Sequence, residues 1–155
     1  MLDDIRQHYR TYLRDIKMMQ LASCVNNQPW LCNVWYVMDE EDNVYWMSRK
    51  TRRHSQEIEQ NPNIACTFHK WFDEGLGQKG QALVIAGKAE LLTGEGCRMP
   101  YELYAERYPA LYDFQTLDDF LKDEGDHFLY KLSPEEFMWW DDFNFGDVSR
   151  QYVRL

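Results

Sequence analysis

The sequence predicts a mainly β protein: an antiparallel barrel of six to seven strands with an N-terminal helix and a few peripheral helices. Short segments rich in apolar and aromatic residues recur from residue 19 onwards, and polar turns separate them. The turns at residues 26–29 and 39–43 are too short for the crossover helix that parallel strands require, so we expect antiparallel pairing. Closing such a sheet into a barrel would remove its exposed edges.

The individual elements follow from local patterns. Residues 2–17 predict an amphipathic helix, because apolar side chains recur at helical spacing and Asp3 and Asp4 stand in the first turn. Further helices are expected at residues 55–60, at 98–107 and within 114–124. The expected strands are residues 19–25, 30–38, 44–47, 64–71, 82–92, 127–132 and 136–143, and a turn at 144–146 precedes residues 151–155. No repeat, low-complexity segment or linker divides the chain, so we expect one domain over residues 1–155.

The composition favours a protein that binds a small anion rather than a polyanion. The formal net charge is -9, so nucleic acid and anionic membranes would be repelled over most of the surface. Aromatic residues make up 15% of the chain, and many must lie in the core, at an interface or around a planar ligand. We therefore expect neither a nucleic-acid partner nor membrane association.

The cysteines and the hydropathy pattern predict a cytoplasmic protein. Cys24, Cys32, Cys66 and Cys97 show no Cys-x-x-Cys spacing and no signal peptide precedes them, which favours reduced thiols over a disulfide framework. No apolar run approaches the roughly 20 residues of a transmembrane helix. The histidines and cysteines show no metal-ligand spacing, so no metal site is expected.

A basic cluster interrupts this acidic sequence just before a predicted helix. Arg49, Lys50, Arg52 and Arg53 stand within five positions, ahead of the helical segment at residues 55–60. Cations oppose the positive end of a helix dipole, at about 0.3–1 kcal/mol each near the surface. Free backbone N–H groups, hydroxyl groups and guanidinium groups together are typical of a phosphate site. The residues alone leave two interpretations open, a phosphate-binding loop and a solvated basic loop.

Several motifs follow one another in a distinctive order. They are Gln28-Pro29-Trp30, a strand and an acidic turn, Val44-Tyr45-Trp46-Met47-Ser48, the basic loop, Ile58, and Asn61-Pro62-Asn63-Ile64-Ala65. This order resembles the pyridoxamine 5'-phosphate oxidase-like family of split barrels that bind flavin mononucleotide (FMN). In that family Ser-Arg-Lys precedes the short helix, and here it falls on Arg52-Arg53-His54. The sequence is most similar to the uncharacterised YhbP-like branch, which carries Thr-Arg-His at this place.

The resemblance implies a split β-barrel of the FMN-binding type whose basic loop holds the cofactor phosphate. Arg53 would contact the phosphate, and Arg52, Thr51 and Lys50 would supply further donors. His54 replaces the family's lysine and would donate a neutral hydrogen bond, or a charged one if the phosphate raises its pKa. From the residues alone, a surface histidine at a helix start is an equal alternative.

Further cofactor contacts are implied on two strands. Ser48 matches the hydroxyl that the family places near the isoalloxazine ring, and the second strand, with Asn33 and Trp35 on one face, would lie along the flavin. Asn33 is a lone amide that either pairs within the protein or faces a ligand. Trp140, with Trp139 as the competing choice, corresponds to an aromatic that a second subunit adds to the pocket in the family; the alternative for either residue is a place in the core of the dimer interface. A homodimer is therefore implied.

These inferences predict a flavoprotein that uses FMN as a small-molecule oxidoreductase with an unknown substrate. No side chain is a convincing catalytic acid or base, so catalytic residues are left unassigned. One alternative is a non-enzymatic module on the same fold that binds haem, through His54 or His69, or another anionic ligand. A second alternative is nucleic-acid binding through residues 49–53, which the net charge opposes.

Overall fold

The computed structural model describes all 155 residues. Four α-helices are present: α1 (Leu2–Leu13), α2 (Arg53–Gln60), α3 (Arg98–Arg107) and α4 (Leu117–Leu121). The strands are β1 (Met18–Val25), β2 (Gln28–Trp35), β3 (Val37–Met38), β4 (Val44–Ser48), β5 (Asn63–His69), β6 (Gln81–Leu91), β7 (Phe128–Asp141) and β8 (Arg150–Arg154). Two 3₁₀ segments, Gly94–Cys97 and Pro109–Asp113, flank α3.

All the strands join one antiparallel sheet that curls into a split barrel, as the sequence predicts. The strand order is β2-β1-β5-β6-β7-β4-β3, and β8 pairs beside β7. Side chains such as Leu21, Leu83 and Trp46 point into the curled sheet and are completely buried. The β1–β2 turn places Asn26 and Asn27 at positive φ, a conformation that asparagine tolerates and that two-residue hairpins require.

The barrel is split because its second predicted strand changes neighbours in the middle. β2 pairs with β1 along its full length, whereas β3 pairs with β4 through Val37–Tyr45 and Met38–Val44 only. β2 and β3 therefore lie at opposite ends of the strand order, although Tyr36 alone separates them in the chain. No strand pairs with residues 46–48 of β4 on the side facing β2. We call this gap between β2 and residues 46–48 the seam.

Tyr36 explains why the predicted strand at residues 30–38 is divided in two. Its side chain is completely buried, and its hydroxyl donates to the Ile16 carbonyl at 2.8 Å. Its own carbonyl accepts from the hydroxyl of Tyr108 at 2.7 Å instead of continuing a strand ladder. A second difference is that α1 ends at Leu13 and not at the predicted residue 17. Beyond the helix, the Ile16 carbonyl accepts from Tyr36 and the Lys17 carbonyl accepts from the hydroxyl of Tyr108.

The two strands predicted at residues 127–132 and 136–143 are one continuous strand, β7. Pro134 lies between the two predicted strands and has no N–H to donate to a strand ladder. The structure accommodates it with a β-bulge opposite Ala86 and Gly87, where Glu135 is the extra residue. A Cβ atom on Gly87 would lie 2.0 Å from the Ser133 carbonyl oxygen, so only glycine permits this close approach.

Helix α1 closes one end of the barrel and is fastened to the β3–β4 turn by a buried carboxylate. Asp42 is completely buried and accepts hydrogen bonds from Arg6 Nε at 2.8 Å and from an Arg10 terminal nitrogen at 2.7 Å. Asp42 also has φ +67°, which aspartate and asparagine tolerate better than other non-glycine residues. One side chain thus fixes both the turn and the helix.

Replacing this carboxylate should destabilise the fold. Asp42→Asn keeps the side-chain shape and the tolerance of positive φ, but it leaves Arg6 and Arg10 without a buried counter-ion. We expect the free energy of unfolding to fall by about 2–3 kcal/mol. Urea unfolding followed by tryptophan fluorescence measures this change. The neighbouring exposed Glu41→Gln is the control, expected within about 0.5 kcal/mol of the unsubstituted protein, and equal values for the two variants would contradict the assignment.

Candidate functional site

The basic loop leads into α2 at the place that the sequence predicts. Arg52 is the N-cap residue in an extended conformation, and no side chain caps the helix. The first turn contains no acidic residue, so no carboxylate offsets the positive end of the helix dipole. The first backbone N–H groups of a helix have no intrahelical acceptors. This end of α2 therefore has the chemistry of an anion site.

His54 points into the barrel and spans the seam. The residue is 8% exposed, its Nε2 lies 2.7 Å from Ser48 Oγ on β4, and its Nδ1 lies 3.4 Å from Cys32 Sγ on β2. Burial lowers the pKa of His54, the nearby charge of Arg52 lowers it further, and Glu57 acts in the opposite direction. The imidazole is therefore neutral at pH 7. His54 is not a surface histidine, and Ser48 is occupied by this hydrogen bond.

Arg53 is the first residue of α2, and its side chain packs over β2, where two contacts hold it. Its guanidinium group stacks 4.1 Å above the Trp30 ring, and its Nε donates to Glu57 Oε1 at 2.7 Å. Glu57 is itself buried one turn later in α2, and its other oxygen accepts from Ser23 Oγ on β1 at 2.5 Å. The two terminal nitrogens of Arg53 make no hydrogen bond within the chain. These nitrogens keep their donor capacity for a ligand.

The other predicted phosphate contacts are spread around the loop. Lys50 places its Nζ 4.0 Å from the centre of the Phe128 ring. Thr51 and Arg52 are exposed, and their side chains make no hydrogen bond within the chain. The cations that the sequence groups together thus face different neighbours, and Arg52 is the one that is free at the N-terminus of α2.

His127 lies next to this loop, although no sequence pattern singles it out as a site residue. Burial lowers the pKa of His127, and the charges of Arg49 and Arg52 lower it further, while Asp126 opposes them. Its backbone is clamped by the buried Gln115, whose Oε1 accepts from the His127 N–H at 3.2 Å and whose Nε2 donates to its carbonyl at 2.9 Å. These two hydrogen bonds fix the backbone that carries the imidazole next to the basic loop.

His127 also forms part of the wall of an aromatic cavity of about 430 Å³. The cavity is lined by Trp35, Met47, Tyr104, Tyr108, Ala110, Leu111, Phe114 and His127. Helix α3 is held against the barrel by hydroxyl groups, since Tyr104 donates to the Trp35 carbonyl at 2.7 Å. This volume lies within the roughly 300–1,000 Å³ of small-molecule sites. An apolar, ring-lined cavity thus adjoins a cationic loop.

The outer face of β2 lies beside this cavity. Leu31 and Trp35 are 59% and 54% exposed, and Asn33 between them is exposed too. Asn33 Oδ1 accepts from Gln20 Nε2 at 3.0 Å, so the amide pairs with the neighbouring strand. Trp35 lines the cavity and Asn33 does not.

The two candidate tryptophans of β7 lie far from the basic loop within one chain. Phe128, which pairs with the end of β4, is twelve residues before Trp140, a span of roughly 40 Å along an extended strand. Trp139 is completely buried, its ring 5.4 Å from that of Tyr12. Trp140 is half-buried and donates to Asp142 at 2.7 Å. Of the two, only Trp140 has accessible ring surface.

Sequence reasoning missed the residues that complete the site. Tyr104 lies in the helix predicted at residues 98–107 and Tyr108 directly follows that helix, and their spacing of four residues could have marked a shared aromatic face. Glu57 gave no such signal, because a glutamate in a short polar helix is normally exposed.

None of the helices is long and apolar enough to cross a membrane. No group of three or more histidine, cysteine, aspartate or glutamate side chains is arranged to hold a metal ion.

Comparison with solved structures identifies the same fold in other proteins. The heme binding protein from Mycobacterium smegmatis superposes with a TM-score of 0.74 at 14% identity, over 97% of this chain and 57% of that chain. HutZ, the heme storage protein from Vibrio cholerae, gives 0.68 at 18% identity, over 84% and 90% of the two chains. A candidate pyridoxamine 5'-phosphate oxidase from Listeria innocua gives 0.65 at 17% identity, over 87% and 97%. At these identities the likeness is one of fold.

Sequence comparison assigns the family. No curated protein sequence matches the chain, and its place in the YhbP-like branch stays a prediction. The sequence profile described as pyridoxamine 5'-phosphate oxidase matches residues 5–141, nearly the whole chain. The chain therefore belongs to the pyridoxamine 5'-phosphate oxidase-like split-barrel family.

Proposed function

We propose that the protein binds FMN noncovalently and acts as an oxidoreductase on a small molecule. The observation that carries this proposal is the junction at His127, where an aromatic cavity meets the cationic loop before α2. FMN has the matching form, a flat apolar ring system with a phosphate on a flexible chain. Membership of the family supports the proposal.

The residues present fit such a ligand. The free N–H groups at the start of α2, together with Arg52 and the terminal nitrogens of Arg53, would hold the phosphate. Trp35 and Tyr108, whose rings meet edge to face with centroids 5.8 Å apart, would line one side of the ring system. His127 would present its imidazole to the ring edge. His54 would contribute through its backbone N–H, because its imidazole spans the seam.

The ligand and the protein would have separate roles in the reaction. Bound FMN supplies the redox chemistry, and the protein supplies orientation and electrostatics. Arg49 and Arg52 would lower the cost of a dianionic phosphate in an otherwise acidic protein. The wall from α3 and residues 109–114 would exclude water from the ring. Because the pKa of His127 is lowered by burial and by these arginines, the neutral imidazole would face the ligand as donor or acceptor at pH 7.

A homodimer is part of the proposal. β2 is an edge strand of the sheet, and Trp30, Leu31 and Trp35 on it are 40%, 59% and 54% exposed. Exposed apolar side chains close together on one strand are typical of an association surface. A partner chain could also bring its own Trp140 to the site, which the same chain cannot do.

The four free cysteines are consistent with the cytoplasmic location that we propose.

Haem is the second candidate ligand, since two proteins of the same fold are described as heme-binding or heme-storage proteins. His54 is a poor iron ligand here because both ring nitrogens are engaged. His69 lies at the exposed end of β5, where its Nδ1 contacts the Lys70 carbonyl at 3.1 Å. His127 would be the ligand instead, because its ring reaches the aromatic cavity.

Flavin titration tests the proposal directly. Added FMN should quench tryptophan fluorescence with micromolar or tighter affinity, and Arg52→Ala should weaken binding roughly tenfold through loss of a charge-assisted contact. Arg14→Ala removes an exposed arginine outside the site and is the matched control, expected to leave binding unchanged. No FMN binding by the unsubstituted protein would reject the proposal. A Soret band with haem that His127→Ala abolishes would favour the second candidate.

Stability should decrease in mild acid because of His54. The pKa of His54 is lower in the folded protein than in the unfolded chain, where the pKa of histidine is about 6.5. The unfolded chain therefore binds more protons than the folded protein, so the free energy of unfolding falls as the pH drops below about 6.5. The contribution of His54 to this fall ends below its folded-state pKa, where both states are protonated. Chemical unfolding at pH 7.5, 6.5 and 5.5 measures the slope. His54→Gln should flatten it, with His8→Gln as the control, and an unchanged slope in His54→Gln would contradict the assignment.

The association surface has a separate test. Sedimentation equilibrium should give about twice the 18.7 kDa mass of one chain. Leu31→Asp places a charge on the exposed face of β2 and should shift the protein towards monomer, because burying an unpaired carboxylate at an interface is costly. Leu76→Asp, in the exposed loop between β5 and β6, is the control. A monomeric unsubstituted protein would reject the dimer.

A further inference from the structure

Glu57 is a buried carboxylate that the proposed phosphate site does not itself use. It is 7% exposed, although it lies in a short helix of mainly polar sequence. Both its oxygens are engaged, one by Ser23 Oγ at 2.5 Å and the other by Arg53 Nε at 2.7 Å. These hydrogen bonds lower the pKa of Glu57 and keep it ionised at neutral pH. Burying a carboxylate is unfavourable unless it is paired, so we ask what the pairing of Glu57 with Arg53 contributes.

Arg53 occupies one defined orientation as a result. The central carbon of its guanidinium group lies over the Trp30 ring, 4.1 Å from the ring centroid, and its Nε donates to Glu57. The two terminal nitrogens lie on the opposite edge of the guanidinium plane and are free of hydrogen bonds within the chain. The side chain is 46% exposed, so a ligand can reach it. Arg53 is also the first residue of α2, next to the free backbone N–H groups.

We propose that Glu57 is a positioning residue that, with Trp30, fixes the guanidinium fork of Arg53 for the phosphate of the flavin. This inference rests on the proposed function and adds residues to its phosphate site. The physical gain is preorganisation: an arginine loses rotamer freedom when it binds, and an arginine already fixed loses less. Ser23 on β1 completes the arrangement by fixing the carboxylate in turn.

Positioning and simple electrostatics predict opposite effects when the charge of Glu57 is removed. A carboxylate near the phosphate repels it, so on charge alone Glu57→Gln would bind FMN more tightly. If Glu57 positions Arg53, the same substitution binds FMN more weakly. Glu59→Gln, on the exposed side of the same helix, makes the same change in net charge and is the matched control.

The experiment compares dissociation constants for FMN and for riboflavin, which lacks the phosphate, by fluorescence titration of each purified variant. We expect Glu57→Gln to weaken FMN binding about tenfold and to leave riboflavin binding unchanged, with Glu59→Gln altering neither. Arg53→Ala should show the same selective loss. In the Arg53→Ala background, adding Glu57→Gln should cause no further loss, because Glu57 acts through Arg53.

Each other outcome has a definite meaning. Equal weakening of FMN and riboflavin by Glu57→Gln indicates a general structural role and overturns the inference, as does tighter or unchanged FMN binding. If Glu57→Gln does not fold, Trp30→Leu at the exposed stack replaces it, with an expected selective loss for FMN of roughly two- to fivefold, and equal loss for both flavins overturns the inference. An unsubstituted protein that binds neither flavin overturns the proposed function and this inference with it.

Discussion

Helix α2 lies across the one place where the barrel is not closed by strand pairing, and the rest of the site depends on that contact. β2 and residues 46–48 of β4 share no ladder, and His54 joins them through Ser48 and Cys32. Three residues later Glu57 joins the same helix to β1 through Ser23. Side chains three apart share one helix face, so a single face of α2 makes both connections. These two contacts fix the N-terminal half of α2 over the seam.

Neutral and charged groups have different tasks in this arrangement. The His54 imidazole is buried and neutral, so it can bond across the seam without a counter-ion. Glu57 is buried and ionised, and it is paired with Arg53, which is half-exposed. The remaining positive charge stays at the surface, where an anion can reach it. The seam and the proposed anion site are thus adjacent but use separate side chains.

The family pattern is retained in its backbone and altered in its side chains. In the family's motif a lysine follows the arginine, and here the position is a histidine that has turned inward. Arg49 and Arg52 keep positive charge in this loop: burial lowers the pKa of His127, and these two arginines lower it further. The aromatic wall comes from α3 and the segment after it, which the hydroxyl of Tyr104 ties to β2. A cavity beside a cationic helix terminus is the combined result.

The sequence by itself determined the mainly β barrel, the antiparallel order of its first strands, the start of α2 and the basic loop, because alternation, helical spacing and turn residues are local signals. It could not determine that one predicted strand divides at Tyr36 or that Pro134 lies within a continuous strand, since both depend on groups distant in the chain. Nor could it show that His54 faces inward and that Glu57 is buried. Burial and pairing of a polar side chain are decided by which elements pack around it, and only the tertiary structure supplies that.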